Sequence, residues 1–421
     1  MKVGSSEQPV GGIGLSEPGF IVNFLRDRDS YVVPRALAAD DRLVKLVTDI
    51  YFTKGPSWRK SILRGIADHH SREVDPKYVE ECLAAAAIQF IGGRGLSRIL
   101  DTNYIANRIL ARKTAKVWKR QPADLLLYSG YARDAFRAAR GSSSLKLLFL
   151  YHPHYKIISD LLRIDAERFP ESAKAQRSDR EITTWWRWNF ADEEIELADG
   201  VVTASNFSSH SLVHAGFRKP TAIVPYFSKL RSEEFDLDTK NGNRCRFLFV
   251  GQGVVRKGIH HLFRAWSEAK LKDAELTCVC SSLDPHLASL MPDDVILKSR
   301  LSYSELRQEY ARSHVFVMPS LVEGFGLVYN EARSYGNFVI YTPNTGGPDM
   351  SFDATTGKMV SAGDVTDLKH GLMESNNLFQ KRELDFAQIA RSAHRGDWQS
   401  YVRQLNRACD SLRMNTKKLS R

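Results

Sequence analysis

The chain has 421 residues, 43% of them hydrophobic and 26% charged, with a formal net charge of +11. That length exceeds what one compact core usually holds, so two domains are expected. No apolar run approaches the length of a membrane-spanning helix, and the positive excess favours an anionic partner: nucleotide phosphate, anionic lipid or nucleic acid.

Met1-Lys-Val-Gly4 lacks the long apolar core of a signal peptide, and the polar start with Gly11-Gly-Ile-Gly14 reads as a flexible terminus. Gly19 to Leu25 reads as the first buried strand, with the loop Arg26-Asp-Arg-Asp29 after it. Tyr31 to Ala39 then reads as helix and Leu43 to Ile50 as strand, the start of a βαβ unit. From Arg59 to Arg120 the pattern is helical and basic. Between Arg94 and Arg120 eight Lys or Arg face a single acid, Asp101. Arg108, Arg112, Lys116 and Arg120 recur every four residues, which predicts a shared helix face. Two readings stand for it: a solvated basic face, or a helix resting on anionic lipid, making the protein peripheral on a membrane's inner surface. No zinc, RRM or helix-turn-helix pattern accompanies it, so no nucleic-acid partner is expected.

Asp124 to Tyr128 reads as strand, Tyr131 to Arg140 as helix and Leu147 to Tyr151 as strand, ending in His152-Pro-His154. Ligands collect at the carboxyl ends of strands in open α/β sheets, and a histidine there can bond a sugar hydroxyl or handle a proton. His154, further past the strand end, is preferred over His152. Helix over Ile157 to Phe169 follows. Trp185-Trp-Arg-Trp188 cannot all face one core, and either lines a cleft, meets a lipid-linked acceptor or packs at a helix end. Helix over Phe190 to Leu197, strand over Val201 to Ser205 and helix over Phe207 to Ala215 close the first domain. Ser232 to Arg244 is polar and charged and reads as linker.

Phe247 to Val250 opens a second βα domain, then Gly251-Gln-Gly253-Val-Val-Arg256-Lys257-Gly258 and a helix over Ile259 to Lys270. Leu276 to Cys280, Val295 to Lys298, Val315 to Met318 and Val339 to Tyr341 read as strands, and Ser304 to Ala311 as helix. Pro319-Ser320 breaks the third of these strands. Glu323-Gly324-Phe325-Gly326-Leu327 follows, and a helical pattern from about Val328 carries Glu331. Glycines at a helix start let main-chain N–H groups approach a ligand, and the helix N-terminus there favours an anion such as a diphosphate. Acids beside a phosphate site accept hydrogen bonds from sugar or ribose hydroxyls. The combination describes a sugar-nucleotide pocket. Trp398 to Ser411 reads as a last helix. Five cysteines, Cys82, Cys245, Cys278, Cys280 and Cys409, form no C-x-x-C pair, which fits reduced thiols and a cytoplasmic location.

Pro319-Ser320, Glu323-Gly-Phe-Gly-Leu327, Glu331-Ala332 and Pro343-Asn-Thr-Gly-Gly347, with the glycine loop and its basic pair, resemble the donor site of retaining GT-B glycosyltransferases of family 4. The resemblance covers roughly residues 120 to 410 and is weakest before Asp124, where the family's Gly-Gly loop is replaced by Arg26 to Asp29 unless Gly11-Gly12 serves. It implies an α/β GT-B fold: two Rossmann-like domains facing a central cleft, with the last helix crossing back to the first domain. The boundaries expected are 1–230 for an acceptor-side domain, 231–244 for the linker, 245–390 for the donor domain and 391–421 for the returning helix. It also implies transfer of a sugar from a nucleotide-sugar, with retention, to a polysaccharide or lipid-linked acceptor. Arg256 and Lys257 would hold the diphosphate with Gly253, Gly324, Phe325, Gly326 and Leu327. Glu323 would lie by the donor sugar, Glu331 on the ribose, Leu301 on the base, and His154 on the acceptor side; Lys257, Glu323 and His154 would carry the chemistry. No cofactor beyond the nucleotide-sugar co-substrate and no metal are expected, since Asp27-Arg-Asp29 and Asp236-Leu-Asp238 fall in a loop and the linker. A nucleotide-sugar epimerase of the same shape, or a non-catalytic binder, are the alternatives.

Overall fold

The computed structural model describes residues 18–26, 28–52, 73–92, 101–178, 188–226, 237–299, 301–393 and 398–419. Two wholly parallel sheets organise them. The first contains β1 (Phe20–Asn23), β2 (Leu43–Thr48), β3 (Val79–Glu81), β4 (Asp124–Tyr128), β5 (Lys146–Leu150), β6 (Gly200–Thr203) and β7 (Thr221–Ile223), in spatial order β3-β2-β1-β4-β5-β6-β7. The second contains β8 (Cys245–Gly253), β9 (Ala274–Leu283), β10 (Val295–Lys298), β11 (Val315–Val317), β12 (Phe338–Tyr341) and β13 (Gly357–Met359), in order β10-β9-β8-β11-β12-β13. Central strands such as Phe-Ile-Val-Asn and Asp-Leu-Leu-Leu-Tyr are buried at every position, as parallel strands covered by helices on both faces must be. Each sheet reverses its order once, between β1 and β4 and between β8 and β11. Loops leaving the carboxyl ends of the strands diverge at such points and open a crevice.

The fold is therefore the expected α/β pair of Rossmann-like domains. The last helix, Trp398–Leu419, packs on helix Val32–Ala39 and on β6 and β7, so it does return to the first domain. Leu405, Cys409 and Leu412 supply its buried face, and Asp410 takes both Nη atoms of Arg42, at 2.7 and 3.2 Å.

The basic stretch departs from expectation. Its helical run is interrupted by β3, a three-residue edge strand too short to show a period, before helices Leu83–Gly92 and Thr102–Arg120. Steps of four residues drift about 40° each around a helix, so the four cations do not share one face. Arg108 turns inward to Asp134 at 2.8 Å, Arg120 reaches Glu80 at 2.8 Å, and Arg112 and Lys116 stay in solvent. No helix of the described residues is long and apolar enough to cross a membrane. Gly11 to Gly14, the Trp185 to Trp188 side chains, Asp27, Arg300 and the first part of the linker, residues 231–236, lie outside the described residues.

A buried cluster joins the domains away from the cleft. Asp165, on helix Tyr155–Arg168, meets His260 Nε2 at 3.1 Å and His261 Nε2 at 2.8 Å, both from helix Ile259–Ala269. Gln176 Nε2 and Ser172 Oγ also donate to it, at 3.1 and 3.3 Å. Burial alone would raise the carboxyl, but the two imidazoles outweigh it and hold Asp165 well below the usual carboxylate range. Removing one partner from such a cluster leaves buried polar groups unmatched. Asp165→Ala should lower unfolding stability by roughly 3–5 kcal/mol, read as a shift in the urea midpoint. A midpoint within error of the parent would show that the cluster does not hold the domains.

Candidate active site

Three loops meet at the carboxyl ends of β8, β11 and β12. The first, Gly251 to Gly258, makes a turn Val255–Lys257 capped by Gly258 at φ 68°. A Cβ there would lie 2.0 Å from the Pro319 carbonyl oxygen, so only glycine lets the first loop touch the second. The Arg256 carbonyl then accepts the N–H groups of Leu321 and Val322, at 2.9 and 3.3 Å. Glu323 N–H donates to the Asn344 carbonyl at 3.0 Å, and Gly346 N–H to that of Phe325 at 3.0 Å. The motifs at 251–258, 319–327 and 343–347, far apart in sequence, are one hydrogen-bonded platform.

On this platform Lys257 Nζ contacts the Glu323 carboxylate directly, and Arg256 Nη1 lies 3.8 Å from it. Glu323 Oε1 also accepts the Gly324 N–H at 3.0 Å, and Arg256 Nη2 donates to Gln252 Oε1 at 2.8 Å. Gly326, at φ 86°, caps helix Leu327–Ser334, whose first N–H groups have no intrahelical partner. Glu331 is further along that helix and does not line the cleft cavity; Tyr310 OH donates to it at 3.2 Å, and burial raises its carboxyl above the ordinary value. Leu301 is half-buried against the core just before helix Tyr303–Arg312.

The N-terminal domain faces this platform across a cavity of about 380 Å³. Its lining joins Arg256, Glu323 and Gly324 to Arg28, Arg108, Arg133, Glu194, His152 and His154. The sequence preferred His154, but the structure gives that ring structural work. It is 2% exposed, caps helix Tyr155–Arg168 through Nδ1, and pairs Nε2 with Asp192 at 2.9 Å. His152 instead keeps solvent access at the cleft. Its depth in the crevice, with the charges of Arg28, Arg256 and Lys257, holds its pKa down to about 3. Both histidines line the cavity, and the first residue after the proline turn is the one that starts the helix.

Other contributors carried no sequence signal. Glu194 accepts N–H bonds from Gly130, Ala132 and Arg133 at 2.7, 2.8 and 3.1 Å and so shapes the loop after β4. Burial pushes its carboxyl up to about 7, against these donors. Ser205 and Ser208 both donate to the Gly324 carbonyl, at 2.5 and 3.2 Å, fastening the platform to the first domain. A hydroxyl pair at a helix start reads as capping, which Ser205 also performs.

Residues 244–374 match the family model described as Glycosyl transferases group 1. Among similar proteins are an uncharacterised glycosyltransferase of Bacillus subtilis, 27% identical over 36% of this chain and 44% of that one. A GDP-mannose-dependent monoacylated alpha-(1-6)-phosphatidylinositol monomannoside mannosyltransferase of Corynebacterium glutamicum is 34% identical, over 29% of this chain and 35% of the relative. The chain thus matches only 44% and 35% of the length of these relatives. Solved structures align along the whole chain. Sucrose-phosphate synthase from Thermosynechococcus elongatus covers 96% of this chain and 98% of its own at TM-score 0.60 and 17% identity. The lipopolysaccharide outer core galactosyltransferase WaaB covers 93% and 99%, at 0.56 and 14%.

Two predictions follow from the platform. A Cβ on Gly324 would stand 2.2 Å from the Tyr151 carbonyl oxygen. Gly324→Ala should therefore prise the domains apart, raising the radius of gyration in solution scattering with unchanged helix content. The His152 pKa near 3 lies below its unfolded value of 6.5, so the folded chain declines a proton that the unfolded chain binds. Its contribution to stability is present above pH 6.5 and declines as pH falls towards 3. By NMR its ring should show no titration between pH 5 and 8; an inflection near 6.5 would contradict the placement. The C-terminal half of this chain carries the group 1 glycosyltransferase match, and the whole has the GT-B fold.

Proposed function

We propose that the protein is a glycosyltransferase that moves a sugar from a nucleoside-diphosphate donor to an acceptor hydroxyl, with retention of configuration and without a metal. The observation that carries this is the Arg256–Lys257–Glu323 cluster, set on three glycine-rich loops at the switch point of the second sheet and facing the first domain. In the reaction the bond between the anomeric carbon and a diphosphate oxygen breaks. The acceptor oxygen bonds that carbon, and its proton ends on the departing nucleoside diphosphate. Negative charge grows on the leaving oxygen, and cations already fixed nearby stabilise it more in the transition state than in the ground state.

Arg256 offers a planar fork and Lys257 a point charge to the two phosphates. Lys257 is paired with Glu323 before the donor arrives; the diphosphate takes the ammonium and frees the carboxylate for sugar hydroxyls. Glu331 serves the ribose, Leu301 the base, and the first N–H groups of helix Leu327–Ser334 the phosphates. His152, neutral across physiological pH, takes the acceptor-side role in place of His154. Retention follows if the leaving oxygen, held on one face of the sugar, itself draws the proton from the incoming hydroxyl. The acceptor is a carbohydrate or lipid-linked glycan.

Lys257→Ala and Glu323→Ala should each cut turnover on the order of 10²–10³-fold, measured as nucleoside diphosphate released with acceptor present. Chelator should leave the parent's rate unchanged, and NMR of the product should show the donor's anomeric configuration kept. A nucleotide-sugar isomerised with no acceptor present would instead establish the epimerase alternative.

A further inference from the structure

The cleft has a second set of positive groups that the donor does not use. They stand on the N-terminal side, at the switch point of the first sheet between β1 and β4. The loop after β1 brings Arg28 over the Tyr151 ring, 4.0 Å from its centre, with Nε buried and unpartnered. The loop after β4 leads into Arg133, which is 6% exposed and lies 3.7 Å over the Phe190 ring. Its Nε also has no partner, and the nearest carboxylate, Glu193, stands 3.8 Å away. Arg108 adds a third guanidinium, matched by Asp134 at 2.8 Å. All three arginines line the same cavity.

The acids of that cavity are engaged elsewhere. Glu194 is occupied by three main-chain N–H groups, and Glu323 by Lys257. One donor on each of two guanidinium groups, the Nε of Arg28 and of Arg133, is thus buried and unused, while Asp29 lends its charge to Arg28 and Glu193 to Arg133. Burying donors without acceptors is costly, and a neutral sugar alone gives no reason for it. An anion does. The first loop is also held in an unusual backbone: Asp29, Ser30 and Tyr31 have φ of 52, 52 and 59° in succession, none of them glycine. Strain of this kind persists where the surrounding structure fixes it, and it gathers at ligand sites. Here it sets the direction of Arg28.

We infer that the acceptor carries a phosphate group, gripped by Arg28 and Arg133 on the N-terminal wall of the cavity while its hydroxyl is presented past His152 towards the donor. This rests on the glycosyl-transfer reading for the word acceptor, but the phosphate site stands on its own residues. Phosphate fits better than carboxylate because two guanidinium forks arrive from separate loops and can each take a different pair of oxygens. The aromatic and aliphatic wall of Tyr104, Ile158 and Phe190 then receives the body of the acceptor. The phosphate belongs either to a soluble sugar phosphate or to a lipid headgroup, and the chemistry of the grip is the same.

The test is calorimetric titration of the full chain, without donor, by three probes: glucose 6-phosphate, glucose, and phosphatidylinositol in detergent micelles against phosphatidylcholine micelles. Binding of glucose 6-phosphate but not glucose supports the proposal with a soluble acceptor. Binding of phosphatidylinositol micelles alone supports it with a lipid source. In either case Arg28→Gln and Arg133→Gln should each weaken binding at least tenfold, and Arg28→Lys should recover part of it. Circular-dichroism melts verify folding; if Arg133→Gln does not fold, Arg28→Gln decides. Equal binding of glucose and glucose 6-phosphate, unaltered phosphate binding in Arg28→Gln, or no binding of any probe overturns the proposal. UDP and GDP titrated into the parent chain separate the two readings. Phosphate binding lost on Arg28→Gln with neither nucleotide bound would refute the transferase while leaving this site standing.

Discussion

The peptide of Gly324 is where the two halves of the molecule meet. Its carbonyl accepts two serine hydroxyls of the first domain, Ser205 and Ser208, and its Cα lies where any side chain would strike the Tyr151 carbonyl. On its other side stands Glu323, bonded to Lys257. One peptide therefore ties the helix start that follows β6 in the first domain to the charged platform of the second, and packs against the residue after β5. Asn206, beside Ser205, extends the seam by donating its N–H to Asp349 Oδ2 at 3.0 Å. The contact between the domains and the assembly of the charged platform therefore depend on the same peptide.

The second sheet and its loops were nearly legible in the sequence, and the reason is local. The platform needs glycines at defined places, since Gly258 touches Pro319 and Gly326 has a left-handed backbone, so composition and position coincide there. Apolar runs bounded by these glycines marked β8, β11 and β12 to within a few residues. Three-residue edge strands left no such trace: β3, β7 and β13 are too short for a period and were visible only once paired.

What stayed hidden depended on contacts between distant segments. Asp165 is an ordinary helix acid in sequence, and only the packing of helix Tyr155–Arg168 on helix Ile259–Ala269 reveals it as a buried partner of two histidines. His152 and His154 could not be told apart from spacing, because their surroundings differ through Asp192, 38 residues beyond His154, which pairs with the His154 ring. Glu194 likewise shapes a loop more than 60 residues earlier. The basic stretch misled for a geometric reason: a four-residue recurrence drifts around a helix, and Arg108 lands in the cleft while Arg112 and Lys116 do not.

The two switch points share a topology and differ in how their loops are built. In the second domain glycines let the loops touch, and the cations stand beside them at Arg256 and Lys257. In the first domain the equivalent loop has no glycine in its sequence; Arg26, Asp29, Ser30 and Tyr31 take the left-handed backbone with ordinary side chains, at a cost of order 1–3 kcal/mol for each such residue. Tyr31 and Phe24 help offset it, since both are buried and their rings pack 5.3 Å apart. Replacing a glycine loop with a strained arginine loop exchanges main-chain contact for a directed charge. On the proposed reading, a site of the first kind suits a diphosphate, and a site of the second kind suits a partner whose own charge meets the arginines.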